Sequence, residues 1–150
     1  WDTVMNLDLK GLFFLSQAVA RVMREHGGGS IVNIASTSGY RVQIPTGHYS
    51  IAKAGVIMAT KVMALEWAEY NIRANCIAPG ATKTRLWDAI FEPMSEEEAK
   101  ASQAASLARI PLKRVGDPRE TANAILFLAS DAASYVTGQS FAVDGGMLLR

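Results

Sequence analysis

The hydrophobic positions of the chain follow two rhythms. From Asp2 to His26, Met5, Leu9, Leu12, Phe13, Val19, Ala20 and Met23 recur at helical spacing, with Ser16 as the polar exception on that face, and the glycines 27–29 stop the pattern. That span corresponds to a helix of about six turns. "SIVNIAS" (Ser30–Ser36) is a short β-branched run of the kind that forms a buried strand. A loop with Gly39, Pro45 and Gly47 follows, and a segment rich in small residues from His48 to Tyr70 returns to helical spacing through Val56, Met63, Leu65 and Trp67. "NIRANCIA" (Asn71–Ala78) reads as a second strand, closed by Pro79 and Gly80.

Beyond Gly80 the rhythm breaks. Isolated apolar residues mix with a short helix that Ser95 and Glu98 open as a capping box, and the stretch from about 85 to 115 reads as an excursion or mobile lid. "DPRE" starts another helix, with Asp117 as N-cap, Pro118 in the first turn and Glu120 three residues after the cap. "SFAVDGG" is a last short strand with a turn. Strands spaced by helices of this length predict an α/β fold: a parallel sheet with right-handed crossovers and helices on both faces. Ligands in such sheets bind beyond the carboxyl ends of the strands. Ser36, Pro79 and Gly80 fall at strand ends, and Tyr49 falls at the start of the intervening helix.

Composition narrows the function class. With 150 residues, 49% hydrophobic and 19% charged, the chain suits one soluble domain spanning residues 1–150. The 15 basic and 14 acidic residues are interspersed for a net charge of +1, which gives no electrostatic reason to expect nucleic acid or an anionic membrane as partner. The apolar "GLFFLSQAVA" is interrupted by Lys10, Gln17 and Arg21, too soon for a membrane span. His26 and His48 stand on separate elements without nearby cysteines, so no metal site is expected. Cys76 is the single cysteine and reads as a small buried strand residue; without an internal disulfide or a secretory signal, a reducing cytoplasm is the simplest compartment.

A small-molecule site is left to explain, and "GHYSIAKAG" (Gly47–Gly55) carries its chemistry. Tyr49 and Lys53, four residues apart, share a helix face, so an ammonium can sit near a phenol without bending the backbone. A free tyrosine, with a pKa of about 10, is a sluggish base at neutral pH, and a nearby cation favours its phenolate. Ser36, earlier across the loop, is placed to hydrogen-bond the same substrate oxygen. Carbonyl reduction, with hydride arriving from a cofactor, is the reaction that needs one proton delivered to one oxygen. Alone, the pair also fits two polar residues on a solvated helix face. The order of strand, serine, loop, Tyr-Lys helix and a strand ending in "PGATKT" favours proton transfer.

These segments together resemble the C-terminal part of a short-chain dehydrogenase/reductase over essentially the whole chain, which implies one half of a Rossmann-like doubly wound sheet. "VMNLDLKGLFF" is similar to the helix whose asparagine, here Asn6, anchors a water in the family's proton relay; "GGGSIVNIAS" resembles the strand that carries the active-site serine, here Ser36. The resemblance implies Tyr49 as general acid/base and Lys53 as the group that lowers its pKa and holds the nicotinamide ribose. It implies Pro79, Gly80 and the Thr82 backbone beside the nicotinamide of NAD or NADP, with Thr84 near the carboxamide. A homotetramer packed through the long helices and the last strand is implied too.

One feature of the family is missing. Its glycine-rich turn after the first strand, which holds the adenosine half of the cofactor, has no counterpart; glycines 27–29 follow a helix and read as a helix stop. Roughly the first hundred residues are therefore expected to be absent, judging from the usual domain size. Arg41, Gln43, Thr46 and His48, with the excursion from Arg85 to Arg109, are expected on the substrate side; Trp87, Phe91 and Met94 are expected either to cover the nicotinamide or to pack the lid down. "ALEWAEYNIRANCIAPG" and "VDGGMLLR" look most like dehydrogenases of sugar acids and polyols, and β-ketoacyl carrier-protein reductases share nearly all the same landmarks. A non-catalytic binding member, or an inactive fragment, is the alternative of another class.

Overall fold

In the computed structural model, which describes residues 1–149, three parallel strands form one sheet in the order β1-β2-β3. They are β1 (Gly29–Ile34), β2 (Ile72–Pro79) and β3 (Ser140–Val143). Asn33 stands opposite Cys76, and Pro79 opposite Val143. β2 is the central strand and is buried along most of its length, as an interior parallel strand must be. Its alternate side chains feed two cores. Ile72, Ala74, Cys76 and Ala78 pack on one face, and Ile77 packs on the other with Leu128 and Ala133.

The first helical pattern is one rod of three parts: α1 (Asp2–Met5), a π-helical stretch Asn6–Gly11, and α2 (Leu12–Glu25). The predicted helix is present, with a widened turn that its apolar spacing did not announce. Helix α3 (Gly47–Trp67) lies beside the rod on the same face of the sheet and ends in a 3-10 turn, Ala68–Tyr70. Ser16, the polar exception on the apolar stripe, is buried and donates to Asn33 Oδ1 at 3.3 Å, while Asn33 Nδ2 donates to Thr60 Oγ1 at 3.0 Å. A short polar chain thus joins rod, strand and α3 inside the core, where each group would be costly unpaired.

The excursion resolves into α4 (Arg85–Ala89), which the pattern did not predict, and α5 (Glu96–Ala108), with both hydrogen bonds of its Ser95–Glu98 capping box formed. Helix α6 (Pro118–Ala129) starts on the Asp117–Glu120 box and covers the second face of the sheet. Its C-terminal carbonyls are satisfied from β1 and β2: Ser30 Oγ and an Arg73 Nη both donate to Leu128 O at 2.9 Å, and the guanidinium also reaches Ser130 O at 3.1 Å.

The glycine run ends α2 at the amino-terminal edge of the sheet. Gly28 has φ +113°, and a Cβ there would lie 2.2 Å from Asn71 O, just before β2. Only glycine fits this approach. The run therefore lies at the opposite edge from the carboxyl strand ends, as a helix stop should.

Candidate active site

Strand β1 ends at Ile34, two residues earlier than the pattern suggested. Ala35 N still bonds to Ile77 O at 2.8 Å, but Ser36 Oγ accepts from Ser38 N at 3.1 Å and opens a 3-10 turn, Thr37–Gly39. A Cβ on Gly39 would meet the Lys53 backbone at 2.8 Å, so this glycine lets the turn bearing Ser36 press directly on α3. Ser36, at the carboxyl end of β1, and Lys53, on the second turn of α3, are brought together by that contact. Since the Ser36 oxygen is already an acceptor within the turn, its own hydrogen remains to be donated elsewhere.

Lys53 is 7% exposed. Its ammonium donates to Ile34 O at 3.2 Å, pairs with Asp8 Oδ1 at 2.9 Å and lies 5.5 Å from the centre of the Tyr49 ring. The cation thus sits at the carboxyl edge of the sheet, held by a strand carbonyl and a carboxylate, beside the phenol ring four residues before it. A buried lysine needs this compensation to stay charged.

Asn6 is not part of this cluster. It is exposed, and the side chain that the rod offers to Lys53 is that of Asp8. Asn6 and Asp8, two apart on the rod, do not share a face, so the residue expected to anchor a relay water and the one that pairs with Lys53 are different side chains. Asp8 lies three positions after Met5 and four before Leu12, on the apolar stripe itself, so an acid on that stripe was the signal for a buried partner. Leu9 anchors the stretch, reaching to 2.7 Å from where a Cβ on Gly55 would be.

Pro79 closes β2, and Gly80 N donates to Val143 O at 3.0 Å, so both stand at the same carboxyl edge as Lys53. Thr82 makes an isolated parallel bridge with Gly116 and donates its hydroxyl to Gly80 O at 3.2 Å. Thr84 caps α4, accepting from Trp87 N at 3.4 Å. Trp87 and Phe91 pack edge to face with centroids 5.1 Å apart and Phe91 is buried, whereas Met94 is exposed. Gln43 and Thr46 are engaged within their own loop: Ser38 Oγ lies 2.6 Å from Gln43 Oε1, and Thr46 Oγ1 donates to Gln43 O at 3.2 Å. Arg41 reaches Met147 O at 3.4 Å. Cys76 is fully buried, and burial pushes its thiol up, which suits a strand residue and not a nucleophile. Among the described residues no group of side chains could hold a metal ion, and no helix is long and apolar enough to cross a membrane.

Residues 1–148 match the family described as enoyl-(acyl carrier protein) reductase. The chain belongs to the short-chain dehydrogenase/reductase family. It is 44% identical to 3-oxoacyl-(acyl-carrier-protein) reductase of Thermotoga maritima over 99% of this chain and 57% of that protein. It is 42% identical to 2-dehydro-3-deoxy-D-gluconate 5-dehydrogenase of Escherichia coli over 100% of this chain and 57% of that protein. A crystal structure from Agrobacterium tumefaciens, provisionally named a 2-deoxy-D-gluconate 3-dehydrogenase and holding NADP, is 41% identical; it superposes with a TM-score of 0.90 over 100% of this chain and 59% of that one. The chain thus spans little more than half the length of these relatives. Its sheet and helices are the Rossmann-like α/β arrangement of this family's structures.

The site can be tested against a nicotinamide dinucleotide by its donors. Asp8 and Ile34 O take two of the three ammonium hydrogens of Lys53, leaving one for a ribose hydroxyl, and Pro79 and Gly80 offer close-approaching backbone at the neighbouring strand end. These residues fit the nicotinamide-ribose end. The glycine-rich turn that would hold the other end has no counterpart in this sequence.

Proposed function

We propose that the complete protein is an NAD(P)-dependent oxidoreductase that interconverts a secondary alcohol and a ketone at the carboxyl edge of this sheet. The observation that carries the reading is the buried Lys53 ammonium, fixed beside the Tyr49 ring by Ile34 O and Asp8. Lys53, with Pro79, Gly80, Thr82 and Thr84, would hold the nicotinamide half of the cofactor, which when bound supplies or accepts the hydride at carbon.

The side chains do the rest. In the reducing direction Tyr49 Oη gives its proton to the carbonyl oxygen as that oxygen gains negative charge, and the phenolate left behind is stabilised by Lys53 until solvent returns a proton. Oxidation reverses these steps. Ser36, with its hydroxyl hydrogen uncommitted in the turn, donates to the same oxygen and orients it. Replacing Tyr49 by Phe in the complete protein is expected to lower turnover at least about a hundredfold. Full turnover in that variant would remove the assignment and favour a non-catalytic member of the family.

For the substrate, we favour a sugar acid or polyol, in keeping with the sugar-acid names of one close relative and one close structure. The Thermotoga relative supports a 3-oxoacyl thioester on a carrier protein as the second reading. A panel containing both classes decides between them: preference for the acyl thioester by kcat/KM would replace the first reading with the second. A homotetramer belongs to the same proposal. Phe14, Leu15 and Val22 on α2 are 55%, 67% and 58% exposed, and Ile51 and Met58 on α3 are 52% and 59% exposed, an apolar surface that a partner subunit would cover. A monomeric mass in solution would count against it. The buried, unpaired Cys76 suits a reducing cytoplasm.

A further inference from the structure

We infer that Asp8 restrains the charge of Lys53, so that the pH range in which Tyr49 exchanges its proton is set by this ion pair. The inference rests on the reading of Tyr49 as acid/base given above and adds a residue to it. Asp8 touches neither the phenol nor the expected substrate position; it acts through Lys53 and is a positioning residue.

Among the described residues Lys53 is the one charged residue that is buried, and Asp8 is the carboxylate in contact with it, at 2.9 Å. A cation favours a nearby phenolate, but a carboxylate at contact distance opposes that influence by presenting the opposite charge. The geometry does not let Asp8 drift away. Its π-helical stretch is pinned by Leu9, which packs over Gly55, two residues beyond Lys53 on α3. The other ionisable side chains on the elements packed here are Asp2, Lys10, Arg21, Arg24 and Glu25 on the rod, His48, Lys61 and Glu66 on α3, Tyr40 and Arg41 after the 3-10 turn, and Arg73 and Cys76 on β2. Arg41 reaches Met147 O, Arg73 caps α6 and Cys76 is a buried thiol.

An asparagine at position 8 has nearly the same shape and still presents an oxygen acceptor to the ammonium. It removes the opposing charge while leaving Lys53 solvated by Ile34 O and an amide. The substitution therefore isolates the electrostatic part of the pair from its packing.

The test uses the complete protein, with Asp8→Asn, Asp8→Glu and Tyr49→Phe. One readout is the pH dependence of kcat/KM for alcohol oxidation. The other is the phenolate absorbance of each Asp8 variant measured against the same protein carrying Tyr49→Phe, which needs no turnover. Removing the carboxylate should move both midpoints to lower pH by about one unit, a tenfold change in proton affinity. Asp8→Glu, which keeps the charge, should stay near the parent. Midpoints unmoved in Asp8→Asn would overturn the inference. Midpoints moved to higher pH would overturn it too, showing that the carboxylate serves to keep Lys53 protonated. Should Asp8→Asn fail to fold, Asp8→Ser takes its place with the same shift required. Full turnover in Tyr49→Phe sinks the functional reading itself, and an unmoved Asp8→Asn profile with inactive Tyr49→Phe sinks the inference alone.

Discussion

The cluster around Lys53 and the excursion carrying α4 and α5 are assembled in opposite ways. The cluster draws its groups from several elements: Ile34 O from β1, Asp8 from the π-helical stretch, Tyr49 and Lys53 from α3, and Ser36 from the turn that Gly39 presses onto that helix. Within the excursion, α5 is built from neighbours in the chain, while the segment after it, Ile110–Leu112, packs against Gly145 and Gly146. Helix α5 has no buried residue and is held at its start by Ser95 and Glu98, three positions apart, with a Glu96–Lys100 pair one turn on. A site made of distant parts fails as a whole when one approach is blocked, whereas a lid made of local contacts loosens by degrees.

The contrast can be broken most directly at Gly39. Gly39→Ala places a methyl 2.8 Å from the Lys53 backbone, which cannot yield as a flexible side chain would. Overpacking of this kind costs about 1–3 kcal/mol. The melting temperature should fall, and turnover should fall further than stability requires, because the Ser36 turn is pushed off α3. A variant with unchanged melting and turnover would show that the approach of turn to helix does not hold the site together.

Ser95→Ala probes the other region. It removes the hydroxyl that accepts from Glu98 N, and losing such a cap costs about 1 kcal/mol. Hydrogen exchange should quicken across residues 96–108 while the exchange of β2 and the global melting temperature stay near the parent. Coupled loosening of β2 would mean that the excursion is part of the core after all.

The smallest effect is a titration. Arg114 donates two hydrogen bonds to the Glu120 carboxylate, at 2.6 and 2.7 Å, and together with Asp117 N these hold Glu120 down to about 2. Because the folded value lies below that of an unfolded glutamate, about 4.3, the stabilising contribution is present above that pH and is lost as pH falls towards 2. A carboxyl titration followed by NMR should show Glu120 charged well below pH 4, and Arg114→Gln should return it towards the ordinary range. The group is substantially exposed, so the change in global stability should be slight.

The same division explains what could be read from the residues alone. Both capping boxes, Ser95–Glu98 and Asp117–Glu120, were legible because donor and acceptor lie within one turn. The two long helices were legible from their helical spacing and the three strands as short runs bounded by turn residues, although β1 stops early once Ser36 bonds to Ser38 N. Helix α4 escaped notice because five residues are too few to show a period. Tyr49 and Lys53 were legible as neighbours on one helix face. Asp8 is an acid on an otherwise apolar stripe, and nothing in its spacing along the chain ties it to Lys53.

Chain order and side-chain period were enough to specify a parallel α/β sheet and to set a phenol beside an ammonium, because those relations span at most a few residues of regular backbone. Which residue of the first helix meets that ammonium depends on how the rod and α3 pack, with Leu9 seated over Gly55 and a π-helical stretch at Asn6–Gly11 carrying Asp8. A contact between residues 8 and 53 is made by the packing of two helices, and spacing along one chain carries no measure of it.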